Sequence, residues 1–143
     1  MLLEDYPMGM EWRTEAVAIS RAELLDFTMR YDPHPIHFDD EYAKTTRFKE
    51  IIAPGALTYL VVWGPFMKLN PFGDELVAGK STKMEWHLPV YAEDQLTGRF
   101  WVSKKEPLGR GKGLLEIQIE IHNQEGRIVL SGFTEAVMQC RST

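Results

Sequence analysis

The chain has 143 residues, a length that fits one domain and does not fit a second catalytic one. Its composition, 44% hydrophobic and 26% charged, is that of an ordinary globular protein and excludes a disordered or fibrous one. Sixteen Lys and Arg against twenty-one Asp and Glu leave a formal charge of −5, which excludes a general attraction to nucleic acid phosphates or an anionic membrane.

In chain order, the opening MLLEDYPMGM is acidic and lacks the basic start and long apolar stretch of a secretory signal. Glu11 to Ile19 alternates enough to predict an edge or lead-in strand. Ser20 and Glu23 then form S-x-x-E ahead of Leu24, Leu25, Phe27 and Met29, which predicts a short capped helix. It must stop by Tyr31 or Asp32, because Pro33 and Pro35 remove backbone donors and push their predecessors out of helical geometry. Residues 31–38 therefore read as a loop. Asp39 is placed to cap a short helix over Asp40 to Lys44, and Thr45 to Pro54 reads as an irregular return.

The run Ile51 to Met67 is apolar and nearly uncharged, but it contains Pro54, Gly55, Gly64 and Pro65 and is shorter than the roughly 20 residues a membrane span needs. It reads as a buried helix, about Gly55 to Lys68, ended by Asn70-Pro71 and Gly73. Beyond Gly73 the chain reads as strands: Leu76 to Leu88, Gln95 to Ser103, Gly113 to His122 and Ile128 to Cys140. Pro89, the Pro107 to Gly113 segment and Asn123 to Gly126 separate them. In Leu115, Ile117, Ile119 and Ile121 apolar residues alternate with Glu116, Gln118 and Glu120, so one sheet face is wet and the other packs. The dry face needs a cover, and the Gly55 helix is the element of suitable length. The expected class is α+β, one domain over 1–143, with a long central helix wrapped by an antiparallel β-sheet, the hotdog arrangement. Open sheet edges make a homodimer, or a higher homo-oligomer, the natural assembly. The single cysteine, Cys140, cannot form an internal disulfide, and a cytoplasmic location is expected.

The stretch Tyr31-Asp-Pro-His-Pro-Ile-His-Phe38 holds one carboxylate and two imidazoles in a loop stiffened by two prolines. Asp and His close together can share a water and supply both an acceptor and a donor for protons near neutral pH. On residues alone, Asp32 could equally be a turn or cap residue, and Asp32, His34 and His37 have the ligand types of a divalent-metal site. The prolines make it hard to aim all three side chains at one point. His87 and His122 read as surface or interface residues, and Lys104, Lys105, Arg110 and Lys112 as solvated hairpin charges.

With YDPHPIHFDDEYAKTTRF followed by EIIAPGALT, the chain resembles the MaoC-like, R-specific enoyl-CoA hydratases, whose motif runs Asp-x-Asn-Pro-x-His. Asp32, Pro35 and His37 stand at the matching positions, and Met84 to Val90 and Gly126 to Leu130 also fit. The resemblance implies a dimer acting on an acyl-CoA, with no metal and no cofactor beyond the CoA of the substrate. It implies that Asp32 and His37 activate the water while the Gly55 amide, at the start of the central helix, holds the thioester carbonyl. Hydrogen-bond donors at a helix start do stabilise the enolate charge that water addition creates. Three positions depart from the family pattern: His34 stands for the motif Asn, Pro54 for the usual His before the glycine, and Trp63 for a small polar residue. His34 and Trp63 are accordingly expected beside the substrate, Trp63 as a limit on the acyl pocket. A thioesterase on the same scaffold and a non-catalytic acyl-thioester-binding subunit are the alternative readings.

Overall fold

The computed structural model describes residues 1–141. After a 3₁₀ turn at Leu3–Asp5, two short strands, β1 (Glu11–Arg13) and β2 (Val17–Ala18), lead into helix α1 (Arg21–Tyr31). A 3₁₀ turn at Pro35–His37 and helix α2 (Asp40–Lys44) precede the central helix α3 (Gly55–Lys68). Four long strands follow: β3 (Leu76–Trp86), β4 (Gln95–Gly109), β5 (Lys112–His122) and β6 (Ile128–Gln139). They form one antiparallel sheet in the order β1-β4-β5-β6-β3, with β2 also paired to β4. The strand that follows α3 in sequence thus lies at the far edge of the sheet. This is the hotdog arrangement expected from the sequence.

The local signals explain the helices. Ser20 Oγ accepts from Glu23 N–H at 3.1 Å, so the predicted cap starts α1, and Asp32 ends it by donating its N–H to Thr28 O at 2.9 Å. Asp39 Oδ1 caps α2 through Tyr42 N–H at 3.1 Å. Helix α3 buries Leu57, Val62 and Phe66 against the sheet, whose Leu115, Ile117, Ile119 and Ile121 face inward as the alternation in β5 requires. Phe66 stacks on Phe100 of β4 with ring centroids 3.8 Å apart. Gly98 of β4 permits this approach, because a Cβ there would collide with Val62 and with the Phe100 ring. Burying a side chain such as Phe66 contributes about 1.5–3 kcal/mol.

The structure corrects three expectations. The predicted strand Glu11 to Ile19 is broken in two, because Thr14 takes over the ladder with both its backbone and its side chain. Its N–H donates to Gly98 O at 3.0 Å, and its Oγ1 accepts from Gly98 N–H at 2.8 Å. Strand β4 does not stop at Ser103 but runs through Pro107 to Gly109, and the turn is confined to Gly109, Arg110 and Gly111, all at positive φ. Pro107 is tolerated because β4 reaches past its short outer neighbour β1, so the missing N–H lies on an open edge. The 31–38 segment is not featureless loop, since Pro35–His37 forms a 3₁₀ turn.

Candidate active site

Helix α1 delivers Asp32 and then cannot continue, because Pro33 follows its C-cap. The chain folds back on itself locally: His34 N–H donates to Asp32 O at 2.8 Å and His37 N–H to His34 O at 2.9 Å. Pro35 starts the 3₁₀ turn, where its lack of an N–H costs nothing. The turn is pinned from outside by Ile52, whose N–H donates to Ile36 O at 3.1 Å. The next residue, Ala53, donates to Val90 O at 2.7 Å, so the return segment is held between the histidine turn and the end of the sheet.

These constraints bring Asp32 and His37 together. His37 Nε2 lies 3.4 Å from Asp32 Oδ2, with the imidazole 12% and the carboxylate 49% exposed. The other ring nitrogen, Nδ1, is 2.6 Å from Ile52 O. A carbonyl oxygen only accepts, so Nδ1 carries the proton and donates it. In the neutral ring Nε2 is therefore an acceptor, turned toward a carboxylate that also accepts. Two acceptors side by side hold a water by both of its hydrogens, which leaves the water oxygen's lone pairs directed away from them. That is the orientation of a nucleophile.

Asp32 and His37 line a cleft of about 570 Å³, a volume suited to a small organic group. The first turn of α3, at Gly55, Ala56 and Thr58, lines it too, as do Met84 and Trp86 at the end of β3 and His87 just after it. Pro54, the residue before the helix, offers no side-chain cap, so the first amides of α3 keep their hydrogens for a ligand, with the positive end of the helix dipole behind them. The Trp86 indole lies directly over Gly55. A Cβ on that glycine would fall under 3.0 Å from indole Cε2, Nε1 and Cζ2. Arg47 brings the one basic side chain other than histidine to the lining, with its guanidinium 4.9 Å from the centre of the Phe48 ring.

Of the residues singled out by sequence, Asp32, His37 and Gly55 share the cleft, whereas His34 and Trp63 do not line it. His34 is exposed and uses Nδ1 to accept the Ile36 N–H at 3.1 Å, capping its own turn, with its ring centre 6.3 Å from that of His37. Asp32, His34 and His37 therefore do not converge on one point. Trp63 stacks on Tyr59 at 5.3 Å and packs against Phe66 at 5.6 Å in an aromatic cluster. Eight residues along a helix is about 12 Å, so Trp63 stands two turns beyond the cleft that the first turn of α3 borders. Sequence reading missed Arg47, Thr58, Trp86 and His87. Thr58, one turn after Gly55, carries a helical-spacing signal; Trp86 and His87 lie in the Met84 to Val90 segment that the resemblance covers, but the pairing of Trp86 with Leu130 in β6 decides where they point.

Comparison with known proteins follows the same line. A sequence model described as MaoC like domain matches residues 5–122. The uncharacterized protein YdeM of Bacillus subtilis is 29% identical over 133 residues, which are 92% of this chain and 94% of that protein. Among solved structures, a monoamine oxidase regulatory protein from Archaeoglobus superposes with a TM-score of 0.92 at 22% identity, covering 98% of this chain and 95% of that one. The R-hydratase PhaJ1 of Pseudomonas aeruginosa superposes at 0.77 with 24% identity, covering 97% of this chain and 85% of that one. At these identities the structural likeness establishes a shared fold.

Proposed function

The chain belongs to the MaoC-like domain family, and from that premise we propose that it catalyses the reversible hydration of a 2-enoyl-CoA to a 3-hydroxyacyl-CoA. One observation carries the reading. An Asp–His pair 3.4 Å apart, with the imidazole tautomer set by Ile52 O, opens on the same cleft as the uncapped first turn of a helix. In the hydration direction the thioester oxygen accepts from the Gly55 N–H, and Asp32 and His37 hold water by its two hydrogens. The water oxygen bonds to Cβ as the Cα=Cβ pair moves toward the carbonyl, whose oxygen takes the enolate charge. The proton left on the Asp32–His37 pair returns to Cα as the carbonyl re-forms, so the net change is addition of H and OH across the double bond.

R stereochemistry at the new hydroxyl follows the resemblance of the motif to the R-specific hydratases. CoA enters as part of the substrate and the scheme uses no other cofactor. We further propose a homodimer, since β3 is an edge strand of eleven residues with Leu76 43% and Val77 39% exposed. No helix among the described residues is long and apolar enough to cross a membrane, and the proposed place of action is the cytoplasm.

The test is the absorbance of the conjugated enoyl thioester with crotonyl-CoA and a longer enoyl-CoA, run beside Asp32→Asn, His37→Ala and a free-thiol assay. Loss of the band without thiol release, abolished by either substitution, is the expected result. Release of free thiol would instead put the attack on the carbonyl carbon and make the protein a thioesterase. Binding without either change would make it an acyl-thioester-binding subunit.

A further inference from the structure

We infer that the indole N–H of Trp86 is a second hydrogen-bond donor to the thioester oxygen, beside the Gly55 amide, which makes Trp86 a catalytic residue. The inference rests on the hydratase reading. Three observations carry it. The first is proximity: the indole meets Gly55 with Nε1 as one of its nearest atoms, not with carbon alone. Standard backbone dimensions then put Nε1 about 5 Å or less from Gly55 N. An oxygen about 2.7–3.1 Å from each nitrogen spans that separation, so one oxygen has room to accept from both. The second is availability, since among the described residues the Trp86 N–H meets no acceptor, and indole nitrogen can only donate. The third is position, because Trp86 and Gly55 both line the cleft that holds Asp32 and His37.

The indole is anchored from behind. Trp86 pairs with Leu130 in the β3–β6 ladder, and His87, the next residue, donates its N–H to Val129 O at 2.9 Å. The His87 ring is held separately, with Nε2 2.6 Å from Ser131 Oγ. The backbone around Trp86 is thus fixed, while the residue as a whole is 56% exposed and open to a ligand. During hydration the indole gives up no proton. Its N–H bond strengthens its interaction with the oxygen as the Cα=Cβ pair moves and enolate charge develops, then relaxes as the proton on Asp32–His37 passes to Cα. A ring present only to cover the glycine would serve equally well as phenylalanine. The donor distinguishes the two roles.

Trp86→Phe keeps an aromatic ring and removes the N–H. Two readouts are taken: kcat and KM for crotonyl-CoA, and the carbonyl stretch of bound crotonyl-CoA by difference infrared in an Asp32→Asn background that prevents turnover. The expected result is a fall in kcat of about 100-fold with KM changed less than about threefold, and a bound carbonyl stretch shifted toward higher frequency. Circular dichroism checks that the variant is folded. A stretch identical with and without the indole overturns the inference whatever the rate does, since a lost cover would slow the reaction without depolarising the carbonyl. A shifted stretch with unchanged kcat overturns the catalytic role. Failure of the native chain to hydrate both crotonyl-CoA and the longer enoyl-CoA rejects the hydratase reading, and the infrared comparison still decides whether the indole donates.

Discussion

Gly55→Ala separates packing from chemistry. The φ of Gly55 lies outside the left-handed region, so alanine meets no backbone strain there, and alanine is the better helix former by up to about 1 kcal/mol. Against that gain, the new methyl would sit under 3.0 Å from three atoms of the Trp86 ring, closer than real side chains come. Overpacking in a closed core costs about 1–3 kcal/mol. Here the obstacle is the ring of a residue 56% exposed, which can turn outward. The two effects nearly offset, and stability should change by less than about 1 kcal/mol, or a few degrees in Tm. Activity should not be spared, because moving the indole and crowding the helix start disturbs the carbonyl site. Loss of one such donor costs about 2.7–4 kcal/mol of transition-state stabilisation, or 100- to 1,000-fold in kcat. The assay is thermal unfolding beside crotonyl-CoA hydration, with Trp86→Ala as background. In that background the methyl has room, so adding Gly55→Ala should lower the rate no further. Native-like kcat for Gly55→Ala alone would refute the reasoning, as would the same loss in both backgrounds.

Asp32→Asn and His37→Ala should each lower kcat by about 100- to 10,000-fold, yet differ in stability. His37→Ala leaves Ile52 O without its donor at a cost of about 1–3 kcal/mol, whereas the half-exposed Asp32 carboxylate carries no comparable buried bond; urea unfolding of the two variants checks this. Trp63→Ser should destabilise the fold by about 2 kcal/mol through loss of its ring stacking and burial, and leave the acyl chain-length profile unchanged; a longer accepted chain would return Trp63 to the pocket. Burial pushes the Tyr59 hydroxyl up to about 12, opposed by its hydrogen bond with Thr82. The folded state then keeps a proton that the unfolded chain releases near pH 10, so stability is full below that pH and falls by about 2–3 kcal/mol as pH rises toward 12. Tyr59→Phe should flatten that fall in urea titrations across the range. Sedimentation or light scattering should give the mass of two chains, and a monomer at micromolar concentration would remove the dimer.

The helices were legible because their causes are local. Ser20 and Asp39 cap within three residues of themselves, Pro33 stops α1 at its neighbour, and Asn70 and Pro71 follow the end of α3. The alternation of β5 announced which face would be buried for the same reason, since successive side chains on a strand must point to opposite sides. The misreadings were not local. Pro107 looked like a strand breaker until the shortness of β1 left its side of β4 open, and Thr14 split a strand through contacts with Gly98 across the sheet.

The site divides along the same line. The sequence by itself determined that a carboxylate and an imidazole would share a proline-stiffened loop, and that a buried helix starting at Gly55 would follow. Only the tertiary structure decided that His37 donates its Nδ1–H to Ile52 O, that His34 turns away to cap its own loop, and that Trp86 rather than Trp63 stands against Gly55. Trp63 lies eight residues from Gly55 in sequence yet about 12 Å away along the helix, because a rigid helix converts sequence separation into distance. Trp86 lies thirty-one residues away and in contact, because strand register is set by a partner strand that sequence spacing does not reveal.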